Sequence, residues 1–66
     1  MDEDVLNMSI RKFLKKVGIN SQREIERAME RASAEGRLDG SPVRVKITLE
    51  CDVIDDALSI EDQIAY

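Results

Sequence analysis

One cysteine, no histidine and fourteen carboxylates set the chemistry this chain can attempt. A nucleophile needs an adjacent base to activate it. Ser9, Ser21, Ser33, Ser41 and Ser59 stand in no motif that supplies one. Cys51 lies between Glu50 and Asp52, and acidic neighbours disfavour the thiolate that nucleophilic chemistry uses. Its place in an alternating apolar run predicts a buried core thiol. A structural zinc site needs several Cys or His ligands, and this chain does not have them. Asp52, Asp55, Asp56, Glu61 and Asp62 are oxygen donors of the kind a hard cation takes. Their spacing fits no EF-hand loop, and the turn glycine of such a loop is missing. The expectation is a solvated acidic loop that keeps strand edges apart. Gly18, Gly36 and Gly40 are too scattered for a phosphate-cradling loop. No catalytic, cofactor-binding or metal-binding residue is assigned, no cofactor is expected, and a non-enzymatic role is expected.

Two basic surfaces are candidates for binding instead. The stretch "KKVGINSQREIERAM" reads as helix, glycine turn, helix, the build of many DNA-binding units. Gln22, Arg23 and Arg27 would then sit near the tip of the second helix, where base-reading residues belong. The spacing argues against it: the core aliphatic position of the common motif falls on Glu24, one residue before Ile25. Glu24–Arg27, Arg27–Glu30 and Arg31–Glu35 also have helical pair spacing, which would neutralise the row that phosphates need. The sequence pI is near 4.7, whereas nucleic-acid modules usually lie above about 9. A winged-helix-like nucleic-acid binder is therefore the alternative reading. The other surface is the outer face of the first helix. There Arg11, Lys12, Lys15 and Lys16 surround Met8, a face that could dock an acidic partner or rest on anionic lipid, although a solvated face with one tolerated methionine is the plainer reading.

Charge is unevenly spread along the chain. Residues 1–8 carry three acids and no base. Residues 9–37 carry eight bases against four acids, and residues 38–66 carry two bases against seven acids, giving −4 in all. The hydrophobic fraction of 42% is too high for a disordered tail. No apolar run approaches the roughly 20 residues of a membrane span. A free thiol and an acidic start, Met-Asp-Glu-Asp, lead to the expectation of a cytoplasmic protein.

The elements that must position these groups follow from periodicity. Leu6, Ile10, Phe13, Leu14 and Val17 share one helical face, predicting a helix over about 3–17 with Gly18 as its left-handed stop. Ser21 and Glu24 have capping-box spacing, predicting a second helix over about 21–36 with Ile25, Ala28, Met29 and Ala32 facing inward. After "DGSP" the period changes to two. Val43, Val45, Ile47, Leu49 and Cys51 alternate with polar residues, predicting a strand over about 43–51. Residues 57–65 are expected to return antiparallel, with a short helix over "SIEDQIAY" as the alternative. The predicted fold is a single α+β domain over 1–66, with two helices packed on a β-hairpin.

A chain of this length is marginal alone and commonly needs a staple. With one cysteine and no histidine, a disulfide within the chain and a structural zinc are not available, and self-association is the remaining route. Pairing a hairpin edge with a second copy would serve.

The stretch from Glu3 to Ala28 resembles a family of short bacterial proteins classed as a domain of unknown function. Asn7 to Gly18, N-M-S-I-R-K-F-L-K-K-V-G, and Ser21 to Glu26, S-Q-R-E-I-E, carry the resemblance. The C-terminal half resembles that family only in its alternating pattern, and "IEDQIAY" departs from it. The resemblance implies a cytoplasmic domain of two helices and a hairpin, with no activity or site residue to carry over. The expectation is a protein-interaction or structural module that self-associates and meets an unidentified protein partner.

Overall fold

The computed structural model describes all of residues 1–66. A single helix, α1, runs from Glu3 to Ala34, followed by β1 from Val43 to Leu49 and β2 from Leu58 to Ile64. The two strands form an antiparallel hairpin. The α+β class, the hairpin and the strand nature of "SIEDQIAY" agree with the sequence reading. The two separate helices do not.

Helix α1 starts on Asp2. The Asp2 carboxylate accepts the backbone N–H groups of Asp4 and Val5 at 3.0 and 3.1 Å, satisfying two of the donors that a helix start leaves orphaned. Glu3 and Asp4 in the first turn suit the positive end of the helix dipole. The helix ends at Ala34 with Glu35 as its C-cap, and Gly36 just beyond has φ +70. The Arg37 N–H reaches the Ala32 carbonyl at 2.8 Å and the Gly36 N–H reaches the Ser33 carbonyl at 3.1 Å. These two bonds are a Schellman closure. Removing the Asp2 cap should cost about 1 kcal/mol. Asp2→Ala is expected to lower the thermal midpoint by several degrees, read by circular dichroism at fixed chain concentration.

Gly18 and the residues after it stay helical. Gly18 has no positive φ, so it is not the stop that its residue type suggested. A helical glycine costs only about 1 kcal/mol relative to alanine. Breaking the helix there would forfeit several backbone hydrogen bonds, and no proline forces the break. The apolar positions also stay in phase across the junction. Val17, Ser21, Ile25, Met29 and Ala32 fall at helical spacing with Leu14 and Ile10 before them. Ser21 is therefore a half-buried rung of that stripe and caps nothing.

Thirty-two residues at about 1.5 Å each give a rod of about 48 Å, which accounts for the longest dimension of 51 Å. A seven-residue strand spans only about 23 Å. The hairpin thus covers half of the helix. β1 runs back from the helix end beside α1, where Asn20, Ser21, Glu24 and Ile25 line one groove with Val45, Lys46 and Ile47. Val17, Ser21, Ile25 and Met29 on α1, Val43, Val45 and Leu49 on β1, and Ile64 on β2 are half-buried. Ala32 alone is buried, at 8% exposure. The opposite hairpin face is polar, with Arg44 across from Gln63, Thr48 across from Ser59, and Lys46 3.8 Å from Glu61.

Two small devices hold the connection between α1 and β1. The Tyr66 hydroxyl accepts the Gly40 N–H. The Asp39 carboxylate accepts the Ser41 N–H at 2.9 Å. That bond, with a further one from the Ser41 side chain, holds the Asp39 carboxyl below its ordinary value.

The molecule is far from compact. Its radius of gyration is 15.9 Å, where a globule of this length has about 11 Å. Its accessible surface is 6211 Å², where a compact monomer of 7.5 kDa exposes about 4,250 Å².

Candidate functional site

The residues with chemical potential do not converge. The Cys51 thiol is exposed, which corrects the expectation of a buried core thiol. β1 ends at Leu49, so the inward parity that was read through Cys51 stops two residues earlier. Cys51 instead lies in the turn where the Ile54 N–H reaches the Cys51 carbonyl at 3.2 Å. No three Asp, Glu or Cys side chains gather as metal ligands. The most prominent depression lies over the polar hairpin face, lined by Arg44, Lys46, Glu61 and Gln63 with Val45 and Asp62. Charges of both signs alternate there, and nothing in it is enclosed.

The proposed base-reading residues change meaning with the helix. Gln22, Arg23 and Arg27 lie on the solvent side of a continuous helix, near its middle. There is no turn before them and no helix tip to present them, so the helix-turn-helix is absent. Gln22 donates to Glu26 at 2.9 Å, and Arg27 meets Glu24 at 3.4 Å. The other two expected pairs, Arg27–Glu30 and Arg31–Glu35, do not close. Glu35 meets Arg37 instead, at 3.2 Å. These pairs are well exposed, and such contacts contribute little to stability.

The basic face of the first half of α1 is present as expected. Arg11, Lys12, Lys15 and Lys16 are all exposed, and Met8 stands among them at 72% exposure. These residues form no ion pair within the chain, so their charge faces outward.

The most distinctive surface is one that the sequence reading assigned to the core. Leu6, Ile10, Phe13 and Leu14 were expected to pack on the hairpin. They are exposed, Phe13 at 51%, because the hairpin ends near Val17 and the helix runs on past it. The bare stripe is continuous with the covered one. A further apolar patch lies on the hairpin. Ile47 faces Ile60 and Leu49 faces Leu58 across the strands, on the face that meets α1. Leu58 and Ile60 nevertheless remain open, Ile60 at 59%, since α1 covers mainly the β1 side. The signal for this surface was in the sequence as lengths: a stripe from Leu6 to Ala32, about 39 Å of helix, against a strand of seven residues, about 23 Å.

Comparison with known proteins covers the whole chain at family level. A family described only as of unknown function, DUF6494, matches residues 1–66. The chain belongs to that family. The match takes in the C-terminal half as well as the stretch from Glu3 to Ala28 that first suggested it. No curated protein and no solved structure matches the chain. DUF6494 therefore supplies a family and no activity, and a function has to be argued from the surface just described. No helix is long and apolar enough to cross a membrane.

Proposed function

We propose that this chain is a protein-interaction module, not an enzyme, and that it works as an assembly of copies. One observation carries the reading: the chain exposes 6211 Å² and buries a single residue. The excess over a compact monomer is about 2,000 Å². A stable interface takes about 800 Å² from each partner, so the excess is of the size that permanent assemblies cover. Hydrophobic burial is the main term that offsets chain entropy, and one buried alanine does not supply it. The missing core is supplied between copies.

Self-association leaves the basic face, Met8 with Arg11, Lys12, Lys15 and Lys16, on the far side of the helix from the apolar stripe. That face is the surface offered to an acidic protein partner. A reducing compartment such as the cytoplasm suits a protein whose one thiol is exposed and unpaired.

The test is the molar mass of the chain in solution. Sedimentation equilibrium at micromolar concentration is expected to give a multiple of 7.5 kDa, together with a cooperative unfolding transition whose midpoint rises with chain concentration. A folded species at the mass of one chain, with a midpoint independent of concentration, would reject the reading.

A further inference from the structure

We infer that the bare half of α1 is an isologous seam on which a second copy of this chain docks, its own α1 running antiparallel. The inference rests on the self-association proposed above and adds its surface, direction and register.

The occupant is a second copy for three reasons. The first is area: the surplus surface of about 2,000 Å² exceeds the roughly 800 Å² per partner of a standard interface. The second is the pattern. Leu6, Ile10, Phe13 and Val17 are spaced by four, three and four residues, the seam spacing of paired helices. That series reads the same from either end. Reversed against itself, it sets Leu6 opposite Val17 and Ile10 opposite Phe13. A two-fold interface requires this self-complementarity, in which residue i meets j and j meets i. Leu14 flanks the seam on the side toward the hairpin stripe. The layer beyond each end would pair Glu3 with Asn20, both polar, which limits the seam to the exposed half.

The third reason is charge. At about 100° per residue, Arg11, Lys12 and Lys15 point away from the seam, and Lys16 flanks it about 13 Å along the axis from the other copy's Lys16, so the two basic faces do not meet. Antiparallel order also sets the two helix dipoles head to tail. A parallel pair would bring the Asp2, Glu3 and Asp4 clusters of both copies together.

Disulfide capture tests the register. In a Cys51→Ser background, Leu6→Cys and Val17→Cys chains are prepared separately and mixed under mild oxidation. Circular dichroism checks the helix, and Ile10→Cys with Phe13→Cys gives a second pair should the first disturb the fold. The seam predicts a covalent dimer in the Leu6→Cys and Val17→Cys mixture and little in either chain alone. Positions 6 and 6 of two antiparallel copies would stand about 16 Å apart along the axis, beyond the roughly 7 Å reach of a disulfide. Capture of Leu6→Cys with itself would show a parallel pair and overturn the inference. No capture in either mixture, with a multiple of the single-chain mass retained, would place the interface elsewhere and overturn the seam while leaving self-association standing. A single-chain mass would overturn both.

Discussion

Phe13→Asp is expected to reduce the molar mass of the assembly to that of one chain at micromolar concentration. Phe13 lies at the centre of the exposed half of α1, half open to solvent and beyond the end of the hairpin. Burying a phenylalanine contributes about 1.5–3 kcal/mol. The substitution removes that and asks a carboxylate to leave water. In a two-fold pair the change occurs twice. The sum is about 4 kcal/mol or more, a weakening of association of about a thousandfold. Met8→Asp, five residues away on the helix surface that is turned from the seam, is the control. It places the same charge on the same half of the helix and should leave the mass unchanged. Equal loss of assembly from both variants would point to a general effect of charge, and the seam would lose its claim.

The second large effect is a difference in sign between two glycines. Gly36→Ala should destabilise the protein by about 1 kcal/mol or more, because a side chain at φ +70 meets the steric cost of the left-handed region. The two closing hydrogen bonds, from the Gly36 and Arg37 N–H groups back to the last turn, depend on that conformation. Gly18→Ala should stabilise by up to about 1 kcal/mol, the propensity gap between glycine and alanine inside a helix. Nothing lies within 4 Å of where the added Cβ would sit, so no clash subtracts from the gain. Were Gly18 the left-handed end of a first helix, alanine there would cost a similar amount instead. Chemical denaturation of the two variants beside the parent, at one chain concentration, reads both signs. A destabilised Gly18→Ala would restore the two-helix reading and remove the straight rod on which the seam depends.

These two glycines also show what could be read in the sequence and what could not. Gly36 was legible as a stop because the apolar period ends with Ala32 and a turn cluster follows. Gly18 carried the same residue-type signal, yet the period runs through it. Residue type gave a local preference of about 1 kcal/mol. The in-phase stripe from Leu6 to Ala32 reflects the whole helix, and it prevailed. The Ser21 and Glu24 spacing misled for the same reason: capping residues act only where backbone donors are orphaned, and in mid-helix none are. The true cap, Asp2, lies ahead of the first apolar position of the stripe, so periodicity does not mark it.

The hairpin was the most legible part. Strict alternation from Val43 to Leu49 placed β1 within two residues of its end, and its return through Leu58, Ile60 and Ile64 followed from parity. The extension of β1 to Cys51 failed because alternation continues past the last paired residue, Leu49. The candidate surface was legible in its residues and misplaced in its role. Leu6, Ile10, Phe13 and Leu14 are correctly one face of a helix. Periodicity says that a face wants cover, and it does not say whether the cover comes from the same chain. Two short helices would each have found the hairpin. One helix of 32 residues outruns it, and its free half becomes surface.

The central claim joins two statements: α1 is continuous through Gly18, and its first half is sheltered by another copy. Residue-resolved amide hydrogen exchange addresses both, comparing the parent protein with Phe13→Asp. The account predicts that in the parent the amides from Leu6 to Val17 and through Gly18, Ile19 and Asn20 are protected. In Phe13→Asp, protection over Leu6 to Val17 should fall sharply, since that half then has no cover, while Ile25 to Ala32 should retain more of theirs. Unprotected amides at Gly18 to Asn20 in the parent, or an unchanged profile from Leu6 to Val17 in Phe13→Asp, would contradict it.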